Sequence, residues 1–342
     1  MGAVKNLARH KDKQGDIMDT LRLLYPQWQG GDIAHWFSDL SAHEAAQGYY
    51  LGAQILKLLA PASAYPTIEV PISLDYTRQT DNNKASGNKA KETDKNAEQN
   101  QASGRAVDTN GGSNNKARTS EASPLDFDII KAQTKAALNL LSIYEPRRIL
   151  TLGGECSASV APFSYLAARY NGECALLWLD AHPDIGLPKD SYKGYHAMAV
   201  SALLGEVDEV ELPATLTPDK ILLAGLHSEE ADFYADRQKQ LGIQSLSASE
   251  CEGEAVCAWI NRVGARRLLI HLDLDVLDSR ELRVAVGDTG RVRVEKLLSV
   301  IEEVKKLESR GSVEIVGFSV CEHLPRELIK LRNILNQLPL MG

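Results

Sequence analysis

Short apolar runs alternate with longer amphipathic segments along most of this chain. Eight of these runs are short and rich in aliphatic residues, and we interpret them as β-strands. They are Leu21–Tyr25, Ile68–Ser73, Arg148–Leu152, Ala175–Asp180, Ile221–Gly225, Ile243–Leu246, Arg267–Asp273 and Val313–Ser319. Apolar residues at helical spacing predict helices between and after these strands. The predicted helices are Ala45–Leu59, Asp126–Tyr144, Ser157–Tyr170, Glu229–Gln240, Glu250–Val263, Val292–Glu308 and Arg326–Leu338.

The order of these elements predicts one parallel sheet. Strands and helices alternate along the chain, and several strands are continuous aliphatic runs, which is typical of a sheet covered on both faces. Repeated β-α units of this kind favour a single parallel sheet between two layers of helices. In such a sheet, a functional site is expected at the carboxyl ends of the strands.

One long segment departs from this alternation. Small and polar residues such as Asn, Lys, Ser, Gly and Glu dominate residues 78–123, and Val107 is the only sizeable aliphatic residue there. A segment of this composition buries too little apolar surface to offset the entropy of ordering it. We therefore predict a disordered low-complexity insertion at 78–123. It would divide a single domain into an N-terminal part, 1–77, and a remainder, 124–342, that carries the chemistry.

Composition narrows the class of protein. The chain has 342 residues and a formal net charge of −8 without a long basic run, so nucleic-acid binding has no electrostatic support. No apolar run approaches the ~18 residues that a membrane span needs, and the first residues lack the apolar core of a secretory signal. Five scattered cysteines without a CxxC pair argue against a disulfide framework or a structural zinc site. We expect a cytoplasmic protein with reduced thiols.

Three polar clusters stand at the ends of predicted strands. They are Gly153-Gly154-Glu155-Cys156, Asp180-Ala181-His182-Pro183-Asp184 and His271-Leu272-Asp273-Leu274-Asp275. Because side chains alternate faces in extended backbone, the acidic and imidazole groups of a cluster can converge on one side. Carboxylates gathered in this way repel one another unless a cation binds between them. Oxygen-rich ligands with one imidazole favour Mn²⁺ or Mg²⁺, and five or more ligands indicate two ions that share carboxylates.

These clusters resemble the motifs of the ureohydrolase family, which includes arginase, agmatinase and formimidoylglutamase. The family carries Gly-Gly-Asp-His, Asp-Ala-His-x-Asp and Ser-x-Asp-x-Asp-x-x-Asp elements, in that order. This chain reads Gly-Gly-Glu-Cys, Asp-Ala-His-Pro-Asp and His-Leu-Asp-Leu-Asp-Val-Leu-Asp, and the resemblance extends from about Arg147 to Pro325. It implies a three-layer α/β/α sandwich with a mainly parallel sheet of roughly eight strands. Because the family often forms trimers or hexamers, it also implies a homo-oligomer.

The resemblance further implies a manganese centre. One Mn²⁺ would be held by the intact set Asp180, His182, Asp273 and Asp275. A second Mn²⁺ would use Asp180, Asp184, Asp273 and a histidine of the first element, which is Cys156 in this chain. Since a thiolate prefers softer ions than Mn²⁺, the second ion would bind weakly, be replaced by zinc or iron, or be absent. His271 stands where the family commonly has Ser, and it either supplies the missing imidazole or acts as a supporting or packing residue.

Two further residues match catalytic groups of the family. His196, in Gly194-Tyr195-His196-Ala197-Met198, resembles the histidine that shuttles protons, and an ordinary imidazole pKa near 6.5 suits that role. Glu322 matches the glutamate that pairs with the guanidinium of the substrate. A carboxylate can accept two parallel N–H bonds from such a planar cation. Alternatively, His196 and Glu322 are ordinary polar residues at the surface or at a strand end, without a catalytic role.

Substrate recognition is matched less well. Arginases follow the second element with Ile-Asn, whose Asn helps to bind the carboxylate of the amino acid, whereas here Ile185 is followed by Gly186. The Ser-Gly-Asn before the shuttle histidine is replaced by Tyr192-Lys193-Gly194. The sequence therefore does not identify arginine as the substrate. Lys193 either attracts an acidic tail of the substrate or is simply solvated.

Three functions compete on these grounds. The leading hypothesis is hydrolysis of a C–N bond in a guanidino or amidine compound by a metal-activated hydroxide, with Asp184, His196 and Glu322 as catalytic residues. The second is a catalytically degenerate paralogue, marked by Cys156, that acts as a binding or scaffold protein. The third is a one-metal amide hydrolase, although the paired histidines of related deacylases are not found in the sequence. Metal content distinguishes the first hypothesis from the second.

Overall fold

The computed structural model describes residues 18–33, 42–74, 123–207, 210–227, 232–283, 290–325 and 327–341. Its centre is a sheet of eight strands in the order β2-β1-β3-β8-β7-β4-β5-β6. The strands are β1 (Thr20–Tyr25), β2 (Thr67–Glu69), β3 (Arg148–Gly153), β4 (Cys174–Leu179), β5 (Ile221–Leu226), β6 (Gln244–Ser247), β7 (Arg267–Asp273) and β8 (Glu314–Cys321). Every neighbouring pair is parallel. The predicted parallel sheet is thus confirmed.

Helices cover both faces of this sheet. They are α1 (Ala42–Leu59), α2 (Phe127–Tyr144), α3 (Val160–Arg169), α4 (Ala199–Leu203), α5 (Asp232–Leu241), α6 (Gly253–Val263), α7 (Val294–Ser309) and α8 (Leu328–Leu335). One buried core contains residues of α1, α6, α7 and α8, and a second contains residues of α2, α3 and α4. The architecture is therefore the three-layer α/β/α sandwich that the resemblance implied.

The alternation of side chains along the central strands divides the two cores. In β4, Leu177 and Leu179 belong to the core under α6 and α7, whereas Leu176 and Trp178 belong to the core under α2 and α3. All six residues of β4 are buried. A strand that is apolar on both faces fits only the middle of a covered sheet, which explains why these strands appear in the sequence as unbroken apolar runs.

The predicted strand over Ile68–Ser73 is shorter in the structure. Only Thr67–Glu69 pairs, and it forms the edge of the sheet beside β1. Pro71 follows closely, and a proline has no N–H to donate to a strand ladder. The predicted helix over Ser157–Tyr170 likewise begins as a 3₁₀ turn, Cys156–Ser159, before α3.

The sheet order determines where the polar clusters meet. The four central strands are β3, β8, β7 and β4, and their carboxyl ends lie side by side. The ends of β3, β4 and β7 lead into the three polar clusters, and the end of β8 leads to Glu322. The chain skips from β3 to β4, continues to β6 and then returns to fill the gap with β7 and β8. Such a reversal of strand order opens a crevice at the strand ends.

Most of the predicted insertion lies outside the described residues. Of 78–123, the structure describes only Ser123, so the disorder and the boundaries of this segment stay predictions. Among the described helices, none combines the length and the apolar character that a membrane crossing requires.

Candidate metal centre

A tight turn after β3 brings Cys156 into the site. Gly154 donates its N–H to the carbonyl of Tyr25, and a Cβ atom at Gly154 would lie 1.9 Å from the carbonyl oxygen of Gln27. Only glycine fits this close approach of two backbone segments. The next residue, Glu155, is fully buried and accepts hydrogen bonds from Ser157 N (2.7 Å) and Gln27 Nε2 (2.8 Å). Burial, the largest effect, raises the pKa of Glu155.

The acidic cluster after β4 is held by short hydrogen bonds. Asp180 Oδ1 accepts the backbone N–H of His182 at 2.7 Å, and Asp180 Oδ2 accepts the indole N–H of Trp178 at 2.9 Å. The ring of His182 turns its Nδ1 towards two carboxylates, at 3.0 Å from Asp275 Oδ2 and 3.5 Å from Asp180 Oδ1. One imidazole nitrogen and two carboxylates therefore face a common point.

The cluster after β7 lies directly beside it. Asp273 Oδ1 accepts the backbone N–H of Asp275 at 2.6 Å, and Asp275 Oδ1 accepts that of Ala181 at 3.3 Å. The second oxygen of Asp273 accepts the Cys156 thiol, with a distance of 2.9 Å from Sγ to Oδ2. The two strand ends thus place side by side the carboxylates that the sequence predicted to converge.

The charges of this cluster are poorly compensated by the protein. Burial and the neighbouring carboxylates raise the pKa of Asp180 to about 7, and they raise the pKa values of Asp184 and Asp273 well above the ordinary value. Asp275 is different: burial raises its pKa, but His182 and the hydrogen bonds with Ala181 and Asp273 together lower it by more. For His182, burial lowers the pKa, but Asp275 and Asp180 together raise it by more. A divalent cation would relieve this repulsion, and the oxygen-rich set with one imidazole fits a hard ion.

Asp184 adds an uncompensated oxygen to the site. The side chain is buried, and Oδ2 has no hydrogen-bond partner among the described residues. Its backbone is left-handed, with φ of 49°, while its carbonyl accepts the N–H of Val200 at the start of α4. Buried unpaired oxygens and strained backbone are concentrated at functional sites, so both features fit a ligand-binding role.

A second group of candidate ligands lies on the Cys156 side. Cys156, Asp180, His271 and Asp273 each offer one ligand atom, and these atoms lie within 4.8 Å of one another. His271 Nδ1 lies 2.9 Å from Ser159 Oγ and 3.0 Å from Ser319 Oγ, and its ring stacks on Trp178 with centroids 3.6 Å apart. Burial lowers the pKa of His271 to about 3, so the ring is neutral.

His196 and Glu322 form a pair at the edge of the carboxylate cluster. His196 Nδ1 lies 3.5 Å from Glu322 Oε1, and its Nε2 lies 2.7 Å from the Tyr192 hydroxyl. Burial lowers the pKa of His196, but Glu322, with a smaller contribution from Glu155, raises it, and the net pKa is raised. Glu322 Oε1 also accepts the N–H of Cys156 at 3.2 Å, and the backbone of Glu322 is left-handed, with φ of 63°.

Three neighbours of the site were not predicted. Tyr192 departs from the family motif and so has no predicted role, although its hydroxyl contacts His196. Tyr49, on α1, lies beside Glu322, and burial followed by that carboxylate raises its pKa well above the ordinary value. His227 follows β5, and its ring lies 5.3 Å from that of His182 in an edge-to-face arrangement. The sequence offers a signal only for His227, which stands at a strand end.

The loop that contains Gly186 and Lys193, where the sequence departs from the arginase motifs, has little free space at Gly186. A Cβ atom at Gly186 would lie 2.9 Å from the carbonyl oxygen of Ala197, so a longer side chain would require the loop to move. Lys193 Nζ donates to the carbonyl of Pro188 at 2.6 Å. This contact was not among the two alternatives for Lys193, which were attraction of an acidic substrate tail and simple solvation. Neither position therefore offers an obvious partner for the carboxylate of a substrate.

The chain is similar to arginases in sequence. A sequence model of the arginase family matches residues 83–326. The arginase of Eremothecium gossypii is 27% identical over 228 residues, which cover 62% of this chain and 54% of that protein. The arginase of Coccidioides posadasii is 36% identical over 148 residues, which cover 39% of this chain and 46% of that protein. The chain thus spans about half the length of the curated relatives it matches.

Solved structures show the same fold over nearly the whole chain. The arginase of Entamoeba histolytica, in a complex with L-ornithine, superposes with a TM-score of 0.64 at 13% identity and covers 94% of this chain and 98% of its own. The native arginase of Bacillus caldovelox gives a TM-score of 0.61 at 16% identity, with 94% and 96% covered. At these identities the similarity shows the fold alone.

Proposed function

Because the chain belongs to the arginase family, we propose that it is a metal-dependent hydrolase that cleaves a C–N bond in a guanidino or amidine compound. The observation that carries this proposal is the buried carboxylate cluster at the ends of β4 and β7, with the His196–Glu322 pair at its edge. A cluster that the protein leaves uncompensated, next to an imidazole with a raised pKa, favours metal-assisted hydrolysis.

One Mn²⁺ would be held by a set of hard ligands. Asp180, His182 and Asp275 each offer one ligand atom within 4.8 Å of the others, and Asp273 would complete the set as the family resemblance implies. A divalent ion bound there supplies a Lewis acid and lowers the pKa of water. His182 is suited to be a metal ligand because its Nδ1 faces two carboxylates and its side chain is partly exposed to solvent.

Asp184 and His196 would handle the protons. The unpartnered Oδ2 of Asp184 is available to accept a hydrogen bond from an attacking water. Glu322 faces Nδ1 of His196 and favours the imidazolium form, so Nε2 is the nitrogen that would release a proton to the leaving amine. The Tyr192 hydroxyl at Nε2 extends this path towards the half-buried rim of the site.

Glu322 would orient the cationic substrate. Its Oε1 already accepts the Cys156 N–H and faces His196, so a guanidinium or amidinium N–H would approach the remaining lone pairs of the carboxylate. The tight packing at Gly186 argues against recognition of an amino-acid carboxylate at that position. We therefore expect guanidino and amidino compounds to be turned over with little dependence on an α-carboxylate.

Substrate turnover tests the proposal. Purified protein loaded with Mn²⁺ should release urea, formamide or ammonia from some members of a panel of guanidino and amidino compounds. Asp180→Ala should abolish turnover, whereas Asp219→Ala, in the 3₁₀ turn before β5, should leave it unchanged. Turnover that persists after exhaustive chelation, with metal loss confirmed by elemental analysis, would refute the proposal.

One observation favours a second candidate, a degenerate paralogue that acts as a binding or scaffold protein. The Cys156 thiol hydrogen-bonds to Asp273 and so satisfies a carboxylate that a second ion would otherwise bind. Protein that binds no divalent ion, and that gains none through Cys156→His, would support this candidate against the hydrolase.

The cytoplasmic location and the homo-oligomeric state stay predictions. Light scattering coupled to size-exclusion chromatography tests the oligomeric state.

A further inference from the structure

We infer that the Cys156 thiolate and the His271 imidazole complete a second cation position of mixed chemistry, which selects zinc or a similar thiophilic divalent ion over manganese. Its two other ligands are Asp180 and Asp273, which the proposed manganese position shares. This inference rests on the proposed metal centre and deepens it by giving the two positions different ions.

The first support is the geometry of the four groups. One ligand atom from each lies within 4.8 Å of the other three, and all four side chains are buried. One sulfur, one nitrogen and two oxygens make a four-ligand set of the kind that suits tetrahedral Zn²⁺. Mn²⁺ prefers oxygen-rich sets with more ligands, so the neighbouring position with His182 and Asp275 suits it better.

The second support is the unpartnered nitrogen of His271. The ring is fully buried, and Nε2 has no hydrogen-bond partner among the described residues. On its other side, Nδ1 lies 2.9 Å from the Ser159 hydroxyl and 3.0 Å from the Ser319 hydroxyl. A buried polar nitrogen without a partner costs free energy, which a bound ion would recover.

The serine pair also offers an acceptor to the Nδ1–H tautomer of His271. The Ser159 hydroxyl donates to Ser319 Oγ at 2.9 Å, so the Ser159 oxygen can accept a hydrogen bond from Nδ1–H of the imidazole. In that tautomer Nε2 carries a lone pair and no hydrogen. Histidines that bind metals are held in the same way, with the second ring N–H donated to a fixed acceptor.

The Cys156 thiol supplies the selectivity. Without an ion, its S–H donates to Asp273 Oδ2 at 2.9 Å. When a divalent ion binds, the S–H bond breaks, a metal–sulfur bond forms, and the thiol proton leaves to solvent together with any proton that Asp180 or Asp273 holds. Because a thiolate binds soft and borderline ions more strongly than Mn²⁺, this exchange favours zinc.

Cobalt(II) tests the inference without any substrate. Metal-free full-length protein is titrated with Co²⁺, because a cobalt–thiolate bond gives a charge-transfer absorption that carboxylates and imidazoles do not. We expect this absorption in the natural sequence and in Cys257→Ser, whose thiol lies half-buried on α6. We expect Cys156→Ser to lose it. Cys156→His should lose the absorption, keep the ion and shift the preference towards Mn²⁺.

The contribution of His271 is tested by His271→Asn. The Asn amide keeps a polar group near Ser159 and Ser319 but removes the position of Nε2, so the fold is preserved while one ligand is lost. Zinc affinity should fall at least about tenfold, since even supporting residues of metal sites contribute that much. Circular dichroism and the melting temperature check that each variant is folded.

Two results would overturn the inference. One is Co²⁺ binding to the natural sequence without thiolate absorption, and the other is undiminished zinc affinity in folded His271→Asn. A protein with the cobalt absorption but no hydrolysis of any guanidino or amidino compound would instead refute the proposed function alone.

Discussion

Asp184 and Glu322 are the two non-glycine residues of the site with left-handed backbone, at φ of 49° and 63°. Such a conformation costs of order 1–3 kcal/mol and persists only where the surrounding structure enforces it. Both side chains are also buried carboxylates within the same acidic cluster. Strain and repulsion at the same two positions indicate that the site is built for a ligand at the expense of stability.

Asp184→Asn should therefore stabilise the metal-free protein. The neutral amide removes the repulsion with Asp180 and the burial cost that raise the pKa of Asp184, and Asn tolerates left-handed backbone better than most residues. We expect the free energy of unfolding in a chelator near neutral pH to rise by about 1–2 kcal/mol. Denaturant unfolding measures it, and the gain should shrink once Mn²⁺ is added. A decrease in the chelator would contradict the prediction.

Glu322→Gln should lower the pKa of His196. The carboxylate of Glu322 is the main group that raises that pKa against burial, so a neutral amide leaves burial as the dominant effect. The imidazolium would then lose its proton at lower pH, and the alkaline limb of the activity profile would move to lower pH as well. NMR titration of the imidazole protons in metal-free protein measures the shift directly. Glu173→Gln, outside the site, should leave the His196 titration where it is in the natural sequence.

At the scale of elements, the central strands could be predicted because buried parallel strands are unbroken apolar runs, whereas the edge strands β2 and β6 are short and largely exposed or half-buried. Helix α4, Ala199–Leu203, was missed since five residues are too few to show a helical period. The sheet order could not be predicted either. The neighbours of β3 are β1 and β8, and alternation along the chain does not reveal such distant pairings.

The candidate site, like the fold, could be predicted from the sequence only in part. The carboxylates after β4 and β7 could be predicted to converge, because polar residues at the ends of parallel strands meet at one edge. The contacts that refine the site join residues far apart in sequence, as with Cys156 and Asp273, which are 117 residues apart. His271 and Ser159 are 112 residues apart. Contacts of this kind follow from strand order and turn geometry, which the hydrophobic pattern does not encode.

The turn after β3 yields a prediction for an element. Gly154→Ala should destabilise the protein by more than about 4 kcal/mol, because a Cβ atom would lie 1.9 Å from the backbone oxygen of Gln27. It should also weaken metal binding by displacing Cys156. Gly264→Ala is the matched control, since Gly264 has left-handed backbone but open space, and we expect a cost of about 1–2 kcal/mol. Equal costs in denaturant unfolding would show that the close packing at Gly154 is unimportant.

At the scale of the whole molecule, the sheet order concentrates negative charge at one edge. Aspartates follow the central strand β4 and close the central strand β7, and the net charge of the chain is −8, so no general excess of positive charge offsets them. Within the cluster, His182 is the nearby cation, and its ring already faces Asp275 and Asp180. The stability of the whole fold should therefore respond to pH and to divalent ions through this one site.

The metal-free protein should lose stability as pH rises from about 4 to about 7. A carboxyl group whose pKa is raised by folding contributes stability below its unfolded pKa, about 4, and that stability is lost as pH rises through the folded pKa. The folded pKa of Asp180 is about 7, and those of Asp184 and Asp273 are raised as well. The raised pKa values of His182 and His196 act in the same direction above about 6.5, whereas the lowered pKa of Asp275 acts in the opposite direction and mainly below pH 4. The pKa of His271, lowered to about 3, also acts in the opposite direction up to about 6.5, but it is one group against three carboxyl groups with raised pKa values.

Denaturant unfolding across this pH range, with chelator and with Mn²⁺ or Zn²⁺, measures the effect. The ion binds the ionised carboxylates of the folded state and replaces the protons they would otherwise retain, so it should remove the loss of stability at higher pH. An ion at a hundred times its dissociation constant stabilises the fold by about 2.7 kcal/mol. Asp180→Asn should flatten the pH dependence in the chelator and reduce the gain from the ion. A metal-free protein that becomes more stable from pH about 4 to about 7 would show that other groups, and not this cluster, dominate the electrostatics of the fold.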